Sequence, residues 1–350
     1  MIWLTWRQFR VQALVLAGAV VALLLFLAST HGGLPTFGDT FLEAFRSQRL
    51  AATVYTVGIT VGLCAPAIVG VFWGAPLVSR ELEAGTHRLA WTQSVTRTRW
   101  LATKLIVTGL TAMAAVGVLS LAMTWWAGSL DKAINTGQHQ NGLFGVARIA
   151  PPLFEARGIA PIAYTAFALV LGVAIGMVVR RVVPAMAITL AVFVAVQIVT
   201  PMFVREHLGA SSTTAVITAE SVQGLMVGGI TPEGLPIGPV QDLTVAVDEP
   251  GAWLIANQTL DRAGQVQSEL PSWVARCVPA EAARMGGAPF GPGVSAACFK
   301  RLHDEGYRQR VTFMPASRYW TLQAIEAAIF LALAGLLAAG SLWWLRHRVV

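Results

Sequence analysis

The chain has 350 residues, of which 55% are hydrophobic and only 12% are charged. Soluble domains carry about 25% charged residues, so this composition excludes an ordinary soluble protein. Several uncharged runs reach about 20 residues, the length that crosses the hydrocarbon core of a bilayer. We therefore expect a polytopic membrane protein, and its net charge of +7 needs no nucleic-acid partner if the basic residues lie on one side of the membrane.

Six apolar stretches predict six membrane-spanning helices. They cover approximately residues 11–29, 52–75, 103–127, 160–179, 182–203 and 321–345. The first stretch is longer than the apolar core of a cleaved signal peptide, so we expect it to be retained. Only Arg180 and Arg181 separate the fourth stretch from the fifth, which predicts a tight hairpin.

The distribution of Lys and Arg predicts the orientation of these spans. With six spans, the two termini share a side with the loops after spans two and four, and this side carries 11 basic and two acidic residues. Cytoplasmic loops of membrane proteins carry such an excess of basic residues. We therefore expect a multi-pass protein of the plasma membrane, with both termini in the cytoplasm and with the lipid bilayer, not nucleic acid, as its surroundings.

Residues 204–320 differ from the rest of the chain. They hold 9 of the 17 prolines and 11 of the 18 acidic residues, and their short β-like runs at 243–247 and 310–313 alternate with turn signals. The predicted fold class is an all-α polytopic membrane protein of six transmembrane helices, with a small mixed extracytoplasmic domain between spans five and six. The expected division is a membrane domain over 1–203, the extracytoplasmic domain over 204–320, and the sixth span with a short cytoplasmic tail over 321–350.

Two of the three cysteines, Cys277 and Cys298, lie in the predicted extracytoplasmic domain. Disulfides persist in oxidising compartments, and a bridge here would close a loop of about 20 residues, worth roughly 3 kcal/mol. We predict a disulfide between them, and two free thiols are the alternative.

The motifs of an enzyme are missing from the sequence. None of the three lysines completes the P-loop pattern that binds ATP phosphates, and no two histidines have the spacing of a zinc protease. A membrane-embedded enzyme would also need a polar constellation inside the spans. The one acid placed within a span is Glu326, a candidate for lining a transport pathway. Its structural interpretation is a carboxylate that reaches outward to solvent or binds Gln323 or Arg318.

A polar connector of about 27 residues separates spans two and three, far more than a tight hairpin needs. Its pattern predicts a helix broken at Gly85, a short helix capped by Thr86, and a further cap at Ser94 or Thr96. Leu82, Leu89 and Trp91 offer apolar contact for a partner. A solvated loop whose arginines follow the charge rule explains the charge but not the tryptophan or the length.

The segment "RELEAGTHRLAWTQSVTRTRWLATKL" resembles the cytoplasmic connector of type 2 ABC exporter permeases, the membrane subunits of ATP-binding cassette transporters. That pattern is an acidic helix, then Gly-Thr, an apolar turn, a Ser/Thr-Arg pair and a Lys-Leu at the start of span three. The matching residues are Glu81, Glu83, Gly85, Thr86, Leu89, Thr96, Arg97, Lys104 and Leu105. Ser94 departs from the pattern, because the family often has a proline shortly before the arginine.

The resemblance implies a coupling helix over about residues 79–99 that docks on a separate ATP-binding subunit. It also implies a second permease copy, identical or related, with ATP and Mg on the partner subunit and no cofactor in this chain. The residues it assigns to coupling are Glu81, Glu83, Gly85, Thr86, Arg88 and Arg97. Among them, Glu83 and Arg88 would orient the helix on the ATPase, while Gly85 and Thr86 would shape its start. The alternative is a non-transporting sensor or scaffold with an extracellular ligand-binding domain.

Overall fold

The structure is a computed structural model that describes residues 2–85, 96–138, 143–218, 221–230, 236–245, 249–277 and 296–347. The chain divides into two compact units. The helical unit is Met1–Arg205 with Ser317–Val350, and the sheet unit is Glu206–Ala316.

Helices dominate the helical unit, and strands are confined to the sheet unit among the described residues. In chain order the helices are α1 Ile2–His31, α2 Phe41–Ser47, α3 Arg49–Val69, α4 Ala75–Glu83, α5 Arg97–Trp126, α6 Gly128–Asn135, α7 Leu153–Ala156, α8 Ala160–Val179, α9 Val182–Val199, α10 Ala296–Asp304 and α11 Tyr319–His347. The strands are β1 Ser211–Ala215, β2 Val222–Ile230, β3 Pro236–Val245, β4 Trp253–Leu260 and β5 Arg308–Met314. A π-helical turn, Gly70–Gly74, joins α3 to α4, and a second, Thr200–Val204, extends α9.

Five helical stretches in the described part of the chain are long and apolar enough to cross a membrane. They are Arg49–Glu83, Arg97–Trp126, Ala160–Val179, Val182–His207 and Ala316–His347. These stretches overlap the second to sixth predicted spans, which confirms a mostly helical membrane part. The first predicted span, 11–29, lies within α1, whose described apolar stretch Ala17–His31 is shorter than a span. The count of six therefore stays a prediction.

Helix α8 packs at the centre of the helical unit, and 72% of its most apolar stretch is buried. Glycines allow this packing, because an added Cβ would collide with the backbone of the neighbouring helix. A Cβ at Gly172 would lie 2.4 Å from the carbonyl oxygen of Gly70, and one at Gly176 would lie 2.6 Å from that of Ala75. Small residues bring membrane helices close in this way, so α8 lies directly against the turn between α3 and α4.

The predicted hairpin between the fourth and fifth spans is confirmed. Arg180 has φ of +58° and ends α8 in the left-handed conformation, and α9 begins at Val182. The turn consists of Arg180 and Arg181, the two residues predicted from the sequence. It places the N-terminal amide groups of α9 next to the end of α4.

The sheet unit contains a three-stranded antiparallel sheet in the order β1-β5-β4 and a two-stranded antiparallel ribbon of β2 and β3. The β-like run 310–313 lies in β5, and the described part of 243–247 lies in β3. Buried Gln309 links the two sheets, because its amide donates to the carbonyl oxygen of Leu243 at 2.6 Å and accepts from the hydroxyl of Thr259 at 2.9 Å. The mixed structure expected after span five is thus present as a small sheet.

Candidate functional site

The polar connector begins as the end of a continuous helical stretch that starts at Arg49. Helix α4 ends at Glu83, and Gly85 follows with φ of +70°, a conformation that L side chains adopt with strain. Helix α5 begins at Arg97, and the hydroxyl of Thr96 accepts a hydrogen bond from the amide of Arg99 at 3.4 Å. The predicted break at Gly85 and the predicted cap at Thr96 are therefore confirmed.

Thr86 and Arg88 lie outside the described residues, as do Leu89 and Trp91. Leu82, expected to offer apolar contact to a partner, is half-buried and packs against a core cluster of this chain that includes Val78 and Leu101. Its methyl groups therefore stabilise the helical unit, because side chains of α4, α5 and α8 pack together at this point.

Glu81 forms an ion pair with Lys104 and thereby joins the end of α4 to α5. The side chain of Lys104 is 10% exposed, and its ammonium group lies 4.4 Å from the centre of the Trp100 ring. A buried ammonium group is costly unless it is paired. The carboxylate of Glu81 thus neutralises a charge that the packing of α5 against α4 removes from solvent.

Glu83 binds the start of the α8–α9 hairpin. Its Oε2 accepts a hydrogen bond from the backbone amide of Val182, the first residue of α9, at 3.0 Å. The first N–H groups of a helix have no partner within the helix, and the helix dipole favours an anion at this end. Together, Glu81 and Glu83 attach the start of the connector to two other helices of the same chain.

The second predicted position, Glu326, lies on α11 and is 1% exposed. Arg205 donates to its carboxylate twice, from Nε to Oε2 and from Nη2 to Oε1, both at 3.0 Å. The hydroxyl of Tyr164 donates to the same Oε1. The expectation that Glu326 reaches solvent or binds Gln323 or Arg318 is therefore wrong, because the π-helical turn that follows α9 brings Arg205 to the carboxylate.

A third charged group, Glu155 of α7, completes what we call the Glu326 cluster: Glu155, Tyr164, Arg205 and Glu326. The Nη1 of Arg205 lies 2.6 Å from Oε1 of Glu155, in an ion pair without hydrogen-bond geometry. Two carboxylates thus share one guanidinium group in a buried site. Burial raises the pKa of Glu155, and the positive charge of Arg205 opposes that rise only in part.

Gln323 positions the backbone beside the Glu326 cluster. It lies one turn before Glu326 on α11, and its Oε1 accepts from the amides of Ile159 and Ala160 at 2.9 and 2.7 Å. Its Nε2 donates to the carbonyl oxygens of Phe154 and Arg157 at 2.9 and 3.0 Å. One amide side chain therefore satisfies four backbone groups at the entry to α8.

A second buried ion pair lies on the same segment. Arg157, which is 1% exposed, binds Asp131 of α6 in a two-pronged contact at 2.9 and 3.3 Å. Both residues, like Glu155, lie in the segment 128–159 between the third and fourth predicted spans. For Glu326 a signal was available, because a buried acid in a span needs a basic partner, but the sequence does not identify which arginine reaches it.

Cys298 is disulfide-bonded, and Cys64 is a free thiol on α3. The side chain of Cys277 lies outside the described residues, so its pairing with Cys298 stays a prediction.

Comparison with known proteins gives a match over the membrane part. The model of the ABC-2 membrane transporter related family matches residues 4–205. This stretch is more than half of the chain and runs from α1 through α9, with the polar connector inside it. No curated protein and no solved structure matches the chain.

Proposed function

Because the chain belongs to the ABC-2 membrane transporter related family, we propose that it is the membrane-spanning permease subunit of an ABC exporter. The connector over residues 79–99 docks a separate ATP-binding subunit, which carries the ATP and Mg. A second permease copy, identical or related, completes the translocation path. The chain itself is a transporter component and performs no catalysis.

The observation that carries this proposal is the attachment of the connector to the membrane helices. Glu81 ties its first residues to Lys104 of α5, and Glu83 ties them to Val182 of α9. At its other end the connector runs directly into α5 at Arg97. A force applied at these two ends of the connector reaches α4, α5 and α9 directly.

These contacts refine the proposed roles of the connector residues. The carboxylates of Glu81 and Glu83 act within the chain as anchors. Gly85, Thr86, Arg88 and Arg97 keep their proposed role in coupling to the partner subunit. Binding of ATP shifts the transporter between states only if the docked subunit has different affinities for them. An anchored connector supplies that difference, because its position is linked to the position of three helices.

The orientation that this function requires agrees with the charge distribution. The connector and the α8–α9 hairpin share the side that carries 11 basic and two acidic residues, the pattern of a cytoplasmic surface. We place both termini in the cytoplasm, the protein in the plasma membrane, and the sheet unit outside the cell.

Affinity purification of the full-length chain from its native membrane tests the partnership. We expect an ATP-binding subunit to remain in a stable complex, identified by mass spectrometry. Recovery of the chain without such a subunit would favour the alternative of a membrane sensor or scaffold.

A pair of variants at Gly85 then tests the coupling role. A Cβ at Gly85 meets no atom within 4 Å, so the strain of a substitution comes from φ alone. Gly85→Val forces a branched side chain into the left-handed region, whereas Asn tolerates it. In proteoliposomes of the complex, we expect Gly85→Val to lower transport-coupled ATPase activity at least fivefold and Gly85→Asn to retain most of it. Equal activity in both variants would contradict the role of this turn.

A further inference from the structure

An apolar groove runs along the surface of the helical unit between α1, α3 and α5. Its cavity volume is about 250 Å³, and its α3 wall extends from Leu50 to Ala65. At 1.5 Å per residue this wall is about 22 Å long, most of the roughly 30 Å hydrocarbon thickness of a bilayer. The groove is therefore long and narrow and lies at membrane depth.

One side of the groove is closed and the other is open. Leu27 and Val54 form part of its floor and are 4% and 6% exposed, whereas Val57 on its rim is 53% exposed. The open side belongs to helices that present apolar side chains to the bilayer, so a lipid molecule can enter laterally.

The groove offers no free polar group to a ligand. Its two hydroxyl side chains, Thr53 and Ser120, donate to backbone carbonyl oxygens, that of Arg49 at 2.7 Å and that of Gly158 at 2.8 Å. The remaining lining residues are apolar or glycine. A polar ligand would lose its hydration without compensation, so the walls select a hydrocarbon.

Size decides between a lipid chain and a helix of a second copy. An α-helix with side chains is about 10 Å wide, so a 22 Å segment occupies well over roughly 1,000 Å³. The groove is too small to take in such a segment, which could insert only single side chains, whereas one hydrocarbon chain, no wider than a Leu side chain, can lie along its length.

A cation lies where the headgroup would be. Arg49, the first residue of α3, precedes Leu50 at the end of the groove, is exposed, and forms no ion pair with any residue that the structure describes. A guanidinium group binds phosphate well. We infer that the groove is a binding site for one acyl chain of a membrane phospholipid, whose phosphate pairs with Arg49.

Photolabelling of the purified full-length protein tests this site. The protein is placed in nanodiscs of phosphatidylcholine and phosphatidylglycerol that contain a trace of phosphatidylglycerol with a diazirine in mid-chain. After illumination, we expect the label to concentrate on the peptides that carry 50–61 and 23–27, at least fivefold over the exposed apolar face of α9. An even distribution over α3, α9 and α11 would overturn the proposal, because it would indicate only the surrounding lipid.

Matched variants separate the groove from the helix surface. Val61→Trp fills the groove from its rim and is expected to lower the labelling at least fivefold. Ile68→Trp, equally on α3 and exposed but outside the groove, should leave it unchanged. Arg49→Gln is expected to lower the labelling at least twofold, while Arg46→Gln on α2 should not. Unchanged labelling in both Val61→Trp and Arg49→Gln would overturn the site, and the wild-type map decides the question if a variant does not fold.

Discussion

Glu83 and Val182 are joined by a hydrogen bond of 3.0 Å although 99 residues separate them in the chain. The carboxylate at the end of α4 caps α9, the second helix of the hairpin, and so ties the start of the polar connector to the hairpin. The start of the connector is thus part of the helical unit, and each of its two anchors makes a prediction that does not depend on a partner.

Replacing Glu83 with Ala should loosen the start of α9. Loss of a hydrogen-bond acceptor at a helix N-terminus costs about 1 kcal/mol of stability. Glu83 supplies such an acceptor to the amide of Val182. We expect hydrogen exchange of the peptide that contains Val182 to accelerate about fivefold, while exchange in α11 stays constant. Glu83→Gln keeps an oxygen acceptor and should show a smaller change, and the same exchange in all three proteins would contradict the cap.

The ion pair of Glu81 and Lys104 should couple the two side chains energetically. Glu81→Gln alone leaves the buried ammonium group of Lys104 unpaired, whereas Lys104→Met in the same chain removes that cost. A double-mutant cycle, measured by thermal unfolding in detergent, is expected to give a coupling of about 1–3 kcal/mol. The exposed pair of Arg301 and Glu305 serves as the control, with about 0.5 kcal/mol or less.

The Glu326 cluster should depend most strongly on its single arginine. Arg205→Met leaves Glu155 and Glu326 buried without a positive charge, so we expect a loss of about 3–5 kcal/mol of stability. Glu326→Gln keeps the ion pair between Glu155 and Arg205 and should cost less. Thermal unfolding ranks the two, and a variant Glu326→Gln of normal stability that fails to transport would assign Glu326 to the pathway.

Glu155 predicts a specific pH dependence of stability. Its pKa in the folded protein is raised above the ordinary 4.5, with burial as the main cause. The folded protein therefore favours the protonated form of Glu155 more than the unfolded chain does. This stabilisation is present in full below pH 4.5 and is lost as the pH rises through the raised pKa. Glu155→Gln should therefore gain in melting temperature relative to the wild type as the pH rises. Glu43→Gln, at an exposed acid on α2, should show no such gain.

Thiol counting tests the disulfide. The chain has three cysteines, and the proposed bridge between Cys277 and Cys298 leaves only Cys64 free. Protein denatured without reductant should react with one equivalent of a thiol reagent, and with three after reduction. Three equivalents before reduction would exclude the bridge.

Local patterns carried much of the prediction. The apolar runs that became α8 and α9, the reversal at Arg180 and the strand around Val311 follow from hydropathy, charge and turn chemistry, which act between near neighbours. The same holds for the break at Gly85 and the cap at Thr96, because caps and turns are made within a few residues.

The sequence alone determined the class of the protein, the apolar stretches that suit a bilayer, and the loops in which its basic residues are concentrated. These features depend on composition and on the order of neighbouring residues. The partners of its charged side chains were decided only by the tertiary structure. Glu83 and Val182 are 99 residues apart, and Arg205 and Glu326 are 121. They meet because glycines let α8 pack against α3 and α4, because the chain reverses tightly into α9, and because the turn after α9 brings Arg205 to α11. A charge inside a membrane protein needs a neutralising partner, but only the packing of the helices determines which one comes within reach.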